Sequence, residues 1–283
     1  MFESLTSKAR KIANISVGKI PEETWERILQ MEAGQNKYGY DPFGFEPGFL
    51  RYVGPPIYFL HKKYFRTEVV GLENVPDSGA CILVSNHSGQ IALDGMLIGA
   101  ACIFDKEKPR MIRSMVEHWI PTIPFLSWVF ARAGQVTGTR DNARLLLERD
   151  GCLMVFPEGI KGISKTYDKA YELTNFGLGF MRLALETQTP IIPIGVIGGE
   201  EQIPSVWNIE TIAKTAGLPS FPVSPLGTFP LPVKYHIHFG EPLIFEGKPD
   251  EEDRAIRDKV KIVTNSIERL LNDGLTSRKG YFF

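Results

Sequence analysis

Apolar and polar positions change rhythm along this chain, and the changes mark its parts. Up to residue 33 the pattern is helical and polar. Pro21 opens a helix with Glu22 and Glu23 near its positive end, and Trp25, Ile28, Leu29 and Met31 recur at helical spacing. A Gly/Tyr/Pro-rich connector follows from Gly34 to Gly48, and Phe49–Arg66 is aromatic and basic. From residue 67 short apolar runs alternate with amphipathic ones. Thr67–Val70, Ala80–Val84, Arg110–Ser114, Gly134–Val136, Cys152–Phe156, Ile191–Ile197 and Val233–Phe239 predict strands. Leu93–Phe104, Pro124–Arg132, Asp141–Arg149 (capped by Thr139 or Asp141), Gly177–Glu186 and Asp250–Leu271 predict helices. Residues 200–232 are Pro-rich and irregular.

Strand and helix in alternation predict an α/β fold. Its centre is a mostly parallel mixed sheet flanked by helices, preceded by a small N-terminal helical region. The change of rhythm divides the chain into residues 1–66 and a body of residues 67–283. Sites in such folds gather at the carboxyl ends of strands. That rule directs attention to Asn86-His87-Ser88-Gly89, to Arg140 and to Pro157-Glu158-Gly159-Ile160-Lys161.

Composition narrows the classes. With 43% hydrophobic and 23% charged residues, the 283-residue chain is an ordinary globular one and not a disordered or fibrous chain. Its 32 Lys+Arg against 33 Asp+Glu lack the basic excess of a dedicated nucleic-acid binder. Cys81, Cys102 and Cys152 lie in apolar runs and read as buried free thiols of a reducing compartment. No run of about eighteen uncharged apolar residues is present, so a spanning helix is not expected. The start of the chain has no apolar signal core, so secretion is not expected either, and the Asn14-Ile15-Ser16 acceptor pattern reads as chance.

The chemistry-bearing residues are few. G-x-S-x-G, a P-loop and a complete dinucleotide fingerprint are missing. His236 and His238 share one strand face but have no third metal ligand in view, so no metal is expected. Lys106, Lys108 and Arg110 read as a solvated face, as do Arg254, Arg257, Lys259 and Lys261. Arg144 and Arg149 read as surface. His87 stands apart because it ends an apolar strand and precedes Asp94, which sits near the start of an apolar helix. If the loop folds back, Asp94 holds one ring nitrogen and the other is left as a general base. Spacing alone favours a surface histidine beside a helix cap over that base.

Asn86-His87 with Asp94, then Gly134 with Arg140, then Phe156-Pro157-Glu158-Gly159, then Ile192-Pro193-Ile194 occur in that order. They resemble the four blocks of the glycerolipid acyltransferase superfamily, the HxxxxD group that includes 1-acylglycerol-3-phosphate acyltransferases. The resemblance runs from about residue 67 to residue 245. It implies transfer of a fatty acyl group from acyl-CoA or acyl-carrier protein to a hydroxyl of a lysophospholipid, with no cofactor beyond that donor substrate. It implies His87 as general base, Asp94 as its orienting carboxylate, and Arg140 and Lys161 near an acceptor phosphate. Glu158, with Gly159 in the same turn, would bind acceptor hydroxyls or hold the loop, and turn N–H groups would meet the oxyanion.

Two departures qualify the acceptor. Six residues, Ser88 to Leu93, separate His87 from Asp94, and Ala92 occupies the group's usual acidic position. The third block ends in Ile160-Lys161, so a bidentate guanidinium has become a point-charge ammonium. The longer loop is similar to branches that acylate neutral glycerides. A neutral acceptor (diacylglycerol or a fatty alcohol) and a catalytically silent lipid-binding protein are therefore carried as alternatives. The aromatic, basic segment Phe49–Arg66 suits peripheral contact with the cytoplasmic face of a membrane, or packing of a helix on the sheet. Trp119–Phe130 suits a second membrane contact or an acyl-chain groove.

Overall fold

The computed structural model describes residues 19–31, 36–88, 93–116, 126–205, 207–208, 222–224, 227 and 229–282. The expectations for residues 1–18, for Trp119–Phe125 and for most of 200–232 fall outside the described residues. Among the described residues the α-helices α1 (Glu22–Leu29) and α2 (Leu50–Phe59) come first, the latter running on as a π-helical turn to Tyr64. Then follow β1 (Glu68–Val70), β2 (Cys81–Ser85), α3 (Leu93–Ala100, with a π-helical turn to Asp105), β3 (Ile112–Val116) and α4 (Leu126–Arg132). The chain continues through β4 (Val136–Thr137), α5 (Arg140–Leu147), β5 (Cys152–Val155), α6 (Ile160–Ile163), α7 (Gly179–Thr187), β6 (Ile191–Ile197) and α8 (Gly199–Gln202). After the small antiparallel pair β7 (Trp207–Asn208) and β8 (Pro222–Val223) come β9 (His236–Phe239) and the long helix α9 (Asp253–Ser277).

Among the described residues seven strands make one sheet in the order β1-β9-β6-β2-β5-β3-β4. The run from β6 to β4 is parallel throughout. β9 enters antiparallel to β6, and β1 lies parallel to β9. The sheet is thus mostly parallel and mixed, as the alternation predicts. Every residue of β2 and β6 is buried. Their side chains alternate between two cores because successive residues of a strand point to opposite faces. Cys81 and Leu83 of β2 join Leu97, Ile98 and Phe65 on one face, while Ile82 and Val84 join residues of α5, α7 and α9 on the other.

Element boundaries moved where tertiary contacts outweighed local signals. The C-terminal helix, expected over Asp250–Leu271, runs from Asp253 on to Ser277. Gly274 lies so close to β6 that a Cβ there would stand 2.2 Å from Ile197 Cδ1, so the glycine serves close packing rather than termination. The stripe Ile256, Val260, Val263, Ile267, Leu271 holds the helix on the sheet. Lys106 and Arg110 correct the solvated-face expectation, for both are buried. Lys106 pairs with Asp77, and Arg110 donates to the Pro76, Gly79 and Asp150 carbonyls. Lys108 stays in solvent, as do Arg149 and Arg257.

The N-terminal segment packs on α3. Ile20, Ile28, Met31, Phe45 and Leu50 share one apolar cluster with Ala100, Ile103 and Phe104. Phe49 and Leu50 face inward and Tyr52 faces out, 75% exposed. The three cysteines are free and buried. His236 is buried against Glu68, with Nδ1 3.2 Å from Oε2. Among the described residues no group of three or more His, Cys, Asp or Glu is placed to hold a metal ion.

Candidate active site

The carboxyl end of β2 delivers Asn86 and His87. Asn86 extends the ladder with its side chain: Nδ2 donates to the Val196 carbonyl at 3.0 Å, and Oδ1 accepts from the Val196 N–H at 2.8 Å. This double bond to β6 fixes where the chain leaves the sheet, and hence where the next residue stands. His87 then points its Nδ1 at Asp94 Oδ2, 2.7 Å away. Residues 89–92 lie outside the described residues. Asp94, wholly buried in the first turn of α3, is held on its far side by the Gly95 N–H at 2.7 Å, and its Oδ2 also accepts the Ser88 N–H at 2.9 Å. The six-residue spacing that motivated a catalytically silent reading therefore does not separate the two groups.

An ionised carboxylate can only accept, so the neutral ring carries its proton on Nδ1 and leaves Nε2 unprotonated. The imidazole stacks on Phe156, with centroids 4.3 Å apart and planes 25° from parallel. It remains 13% exposed. Burial disfavours the charged ring, but the Asp94 carboxylate outweighs it, so the His87 pKa lies above the ordinary histidine value.

The turn after β5 braces the histidine from the other side. Glu158 is buried, with Oε1 accepting the His87 main-chain N–H at 2.9 Å and Oε2 accepting the Thr174 N–H at 2.8 Å. Both oxygens are thus engaged by backbone, in a loop-holding arrangement. Gly159 is exposed and takes φ +57 and ψ −146, a conformation that side-chain-bearing residues avoid. Its N–H donates to the Phe156 carbonyl at 3.0 Å, so this turn N–H is already occupied. Lys161 is exposed on α6.

Arg140 starts α5, whose Thr139 cap accepts the Asn142 N–H at 3.1 Å. Its guanidinium is 67% exposed and pairs with Glu186 at 2.8 Å. It borders a largely apolar cavity of about 370 Å3 that also touches Met115, Val155, Pro157, Gly177 and Phe180. The cavity reaches Pro157, next to Glu158, but is not lined by His87, Asp94 or Glu158.

Three residues around His87 escaped the reading of the sequence. Lys165 lies four residues past Lys161, where nothing distinguishes it from a surface lysine. Glu200, 2.8 Å from the Lys165 ammonium, follows buried β6 at once, and the strand-end rule could have singled it out. Gly199 lies so close to Ser88 that a Cβ there would stand 2.1 Å from the serine Oγ.

Residues 66–197 match the acyltransferase family profile. The histidine–carboxylate pair after β2 and the Phe-Pro-Glu-Gly turn after β5 both lie within these residues, which form an acyltransferase-family domain. An uncharacterised protein of Mycobacterium tuberculosis is 34% identical over 87% of this chain and 72% of its own. A human protein described as a DGAT1/2-independent enzyme synthesizing storage lipids is 24% identical over 72% of this chain and 60% of its own. The crystal structure of the 1-acyl-sn-glycerophosphate acyltransferase PlsC from Thermotoga maritima superposes with a TM-score of 0.51. It covers 92% of this chain and 89% of its own at 18% identity, which speaks for a common fold.

Proposed function

We propose that the protein transfers a fatty acyl group from acyl-CoA or acyl-carrier protein to a hydroxyl of a lysophospholipid, with His87 as general base. The observation that carries this reading is the Nδ1 contact to Asp94, which leaves Nε2 of a partly exposed ring as the acceptor. Nε2 takes the proton of the acceptor hydroxyl as its oxygen attacks the thioester carbonyl carbon. The tetrahedral oxyanion then collapses, the carbon–sulfur bond breaks, and the thiolate leaves with the proton returned from His87. Asp94 stabilises the imidazolium formed in between. The cavity beside Pro157 offers an apolar wall for lipid, with Arg140 at its edge and Lys161 on the neighbouring helix as cations for a headgroup phosphate.

No helix among the described residues is long and apolar enough to cross a membrane. In this reading the lipid is met at the cytoplasmic face. Tyr52 and Trp128 are two exposed aromatics beside Phe49, which packs edge-on to Trp128 at 5.2 Å. Arg132 lies over the Trp128 ring at 4.4 Å, and its charge is met by Glu46 at 2.9 Å.

A second reading replaces the acceptor by a neutral glyceride. It is favoured by the Glu186 carboxylate, which already neutralises Arg140, and by the human relative's description. Lipid mass spectrometry of products from a mixed lysophospholipid and diglyceride pool decides between the two. Phosphatidate-type products support the first, and triglyceride alone supports the second. Arg140→Ala gives an independent check: it raises the acceptor KM about tenfold for a phosphate-bearing substrate and leaves a neutral one unchanged.

A further inference from the structure

A buried lysine stands behind the histidine. Lys165 follows α6, and its side chain is only 5% exposed. An ammonium at that depth is retained where anions meet it, since its desolvation alone costs several kcal/mol or more. Two carboxylates do so: Glu200 Oε1 at 2.8 Å and Glu158 Oε2 at 3.8 Å, and the Glu172 carbonyl accepts a further bond at 3.1 Å. The other oxygen of Glu158 holds the His87 main chain. Glu200 belongs to α8, directly after β6, and β6 is the strand that Asn86 grips. Lys165 therefore ties the turn after β5, which holds the His87 main chain, to the turn that follows β6, the strand Asn86 grips.

We propose that Lys165 is a positioning residue for acyl transfer: its ammonium holds Glu158 on the His87 main chain and counters the carboxylates around the imidazole. The inference rests on His87 being the base. The charged groups facing the ring are Asp94 from α3, Glu158 from the turn after β5, and Lys165 itself. Glu200 and Glu201 of α8 and the buried Tyr235 before β9 form the next layer, Tyr235 feeling Asp94 and Glu201 pairing with Arg278. Asp94 and Glu158 favour the imidazolium, and Lys165 opposes it. Without the ammonium the ring sits among carboxylates with no cation, and it stays protonated to higher pH, where it cannot accept a proton.

The decisive measurement is the titration of the His87 ring by NMR on the full-length protein without substrate, its signal assigned by loss in His87→Gln. Lys165→Met raises the midpoint by about half a unit to one unit, and Lys165→Arg restores it. Glu200→Gln moves it the other way, because the lysine then loses a competing anion. In turnover assays with acyl-CoA, Lys165→Met lowers kcat about tenfold with KM nearly unchanged. A folded Lys165→Met protein with the wild-type midpoint overturns the proposal, as does a shift of the same sign in Lys165→Met and Glu200→Gln. If the methionine variant does not fold, the Glu200→Gln titration carries the test, and an unchanged midpoint there overturns it. Retained turnover in His87→Ala instead removes the general-base reading, which the titration does not measure, so the two failures are distinct.

Discussion

The described residues contain two histidine–aspartate pairs of nearly equal length. His87 meets Asp94 at 2.7 Å, and His61 meets Asp105 at 2.8 Å. The contacts are alike and the surroundings differ. His61 lies on the π-helical turn that extends α2, wholly buried, and its Nδ1 has no hydrogen-bond partner among the described residues. Burial works against ionisation of Asp105, but His61 and Lys62 hold its pKa below the usual carboxylate value. This pair joins the N-terminal segment to the turn after α3. His87 instead stands at the carboxyl end of an interior strand with one edge of its ring open. A carboxylate–imidazole contact is thus no site in itself; what decides is whether the second nitrogen reaches a place a substrate can occupy.

The largest effect expected from breaking this likeness is at His87. His87→Ala lowers turnover about a thousandfold or more and leaves the folded state intact, measured by acyl-thioester consumption and by circular dichroism. His61→Ala does the reverse: activity stays within a few-fold, and stability drops by roughly 1–3 kcal/mol in urea unfolding, because Asp105 loses a buried partner. Equal activity loss in the two variants would sink the distinction.

Asp94→Asn comes next. The amide keeps the shape but not the charge, and kcat falls by about a hundredfold. Stability also drops, since the Ser88 and Gly95 N–H groups lose a charged acceptor. An Asp94→Asn enzyme with full kcat points to another group orienting the ring.

A smaller effect separates the pairs by pH. The His87 pKa is raised above 6.5 in the folded chain. The base must be neutral, so the acidic limb of kcat/KM lies above that value and turnover falls as pH drops through it. For stability the sign is opposite. A raised folded pKa contributes stability that is fully present below 6.5 and is lost as pH rises through the folded value. His87→Gln removes this part of the pH dependence of unfolding. A limb below 6.5, or an unchanged unfolding profile in His87→Gln, contradicts the assignment.

Much of the body was legible because its signals are local. The seven-residue run Ile191–Ile197 is the observed β6, and Cys152–Val155 differs from its predicted strand by one residue. The Thr139 cap is visible in the sequence and present in the structure. His87, Asp94 and Glu158 were found because they follow or adjoin buried strands in an ordered set of blocks. Lys106, Arg110 and Lys165 were not legible, because a buried cation and a surface cation look the same in one dimension. Their partners, Asp77, Asp150 and Glu200, come from distant parts of the chain.

The amino-acid sequence by itself determined the alternation of strand and helix, the buried parallel strands and the identity of the residues at their ends. Periodicity and turn chemistry act over a few neighbours, so they survive reading without coordinates. Only the tertiary structure decided which histidine keeps part of its side chain exposed, that Asp94 reaches His87 across a longer loop, and that a lysine stands buried behind both. Those outcomes depend on desolvation and on charges brought together from separate segments, and neither quantity exists until the chain has folded.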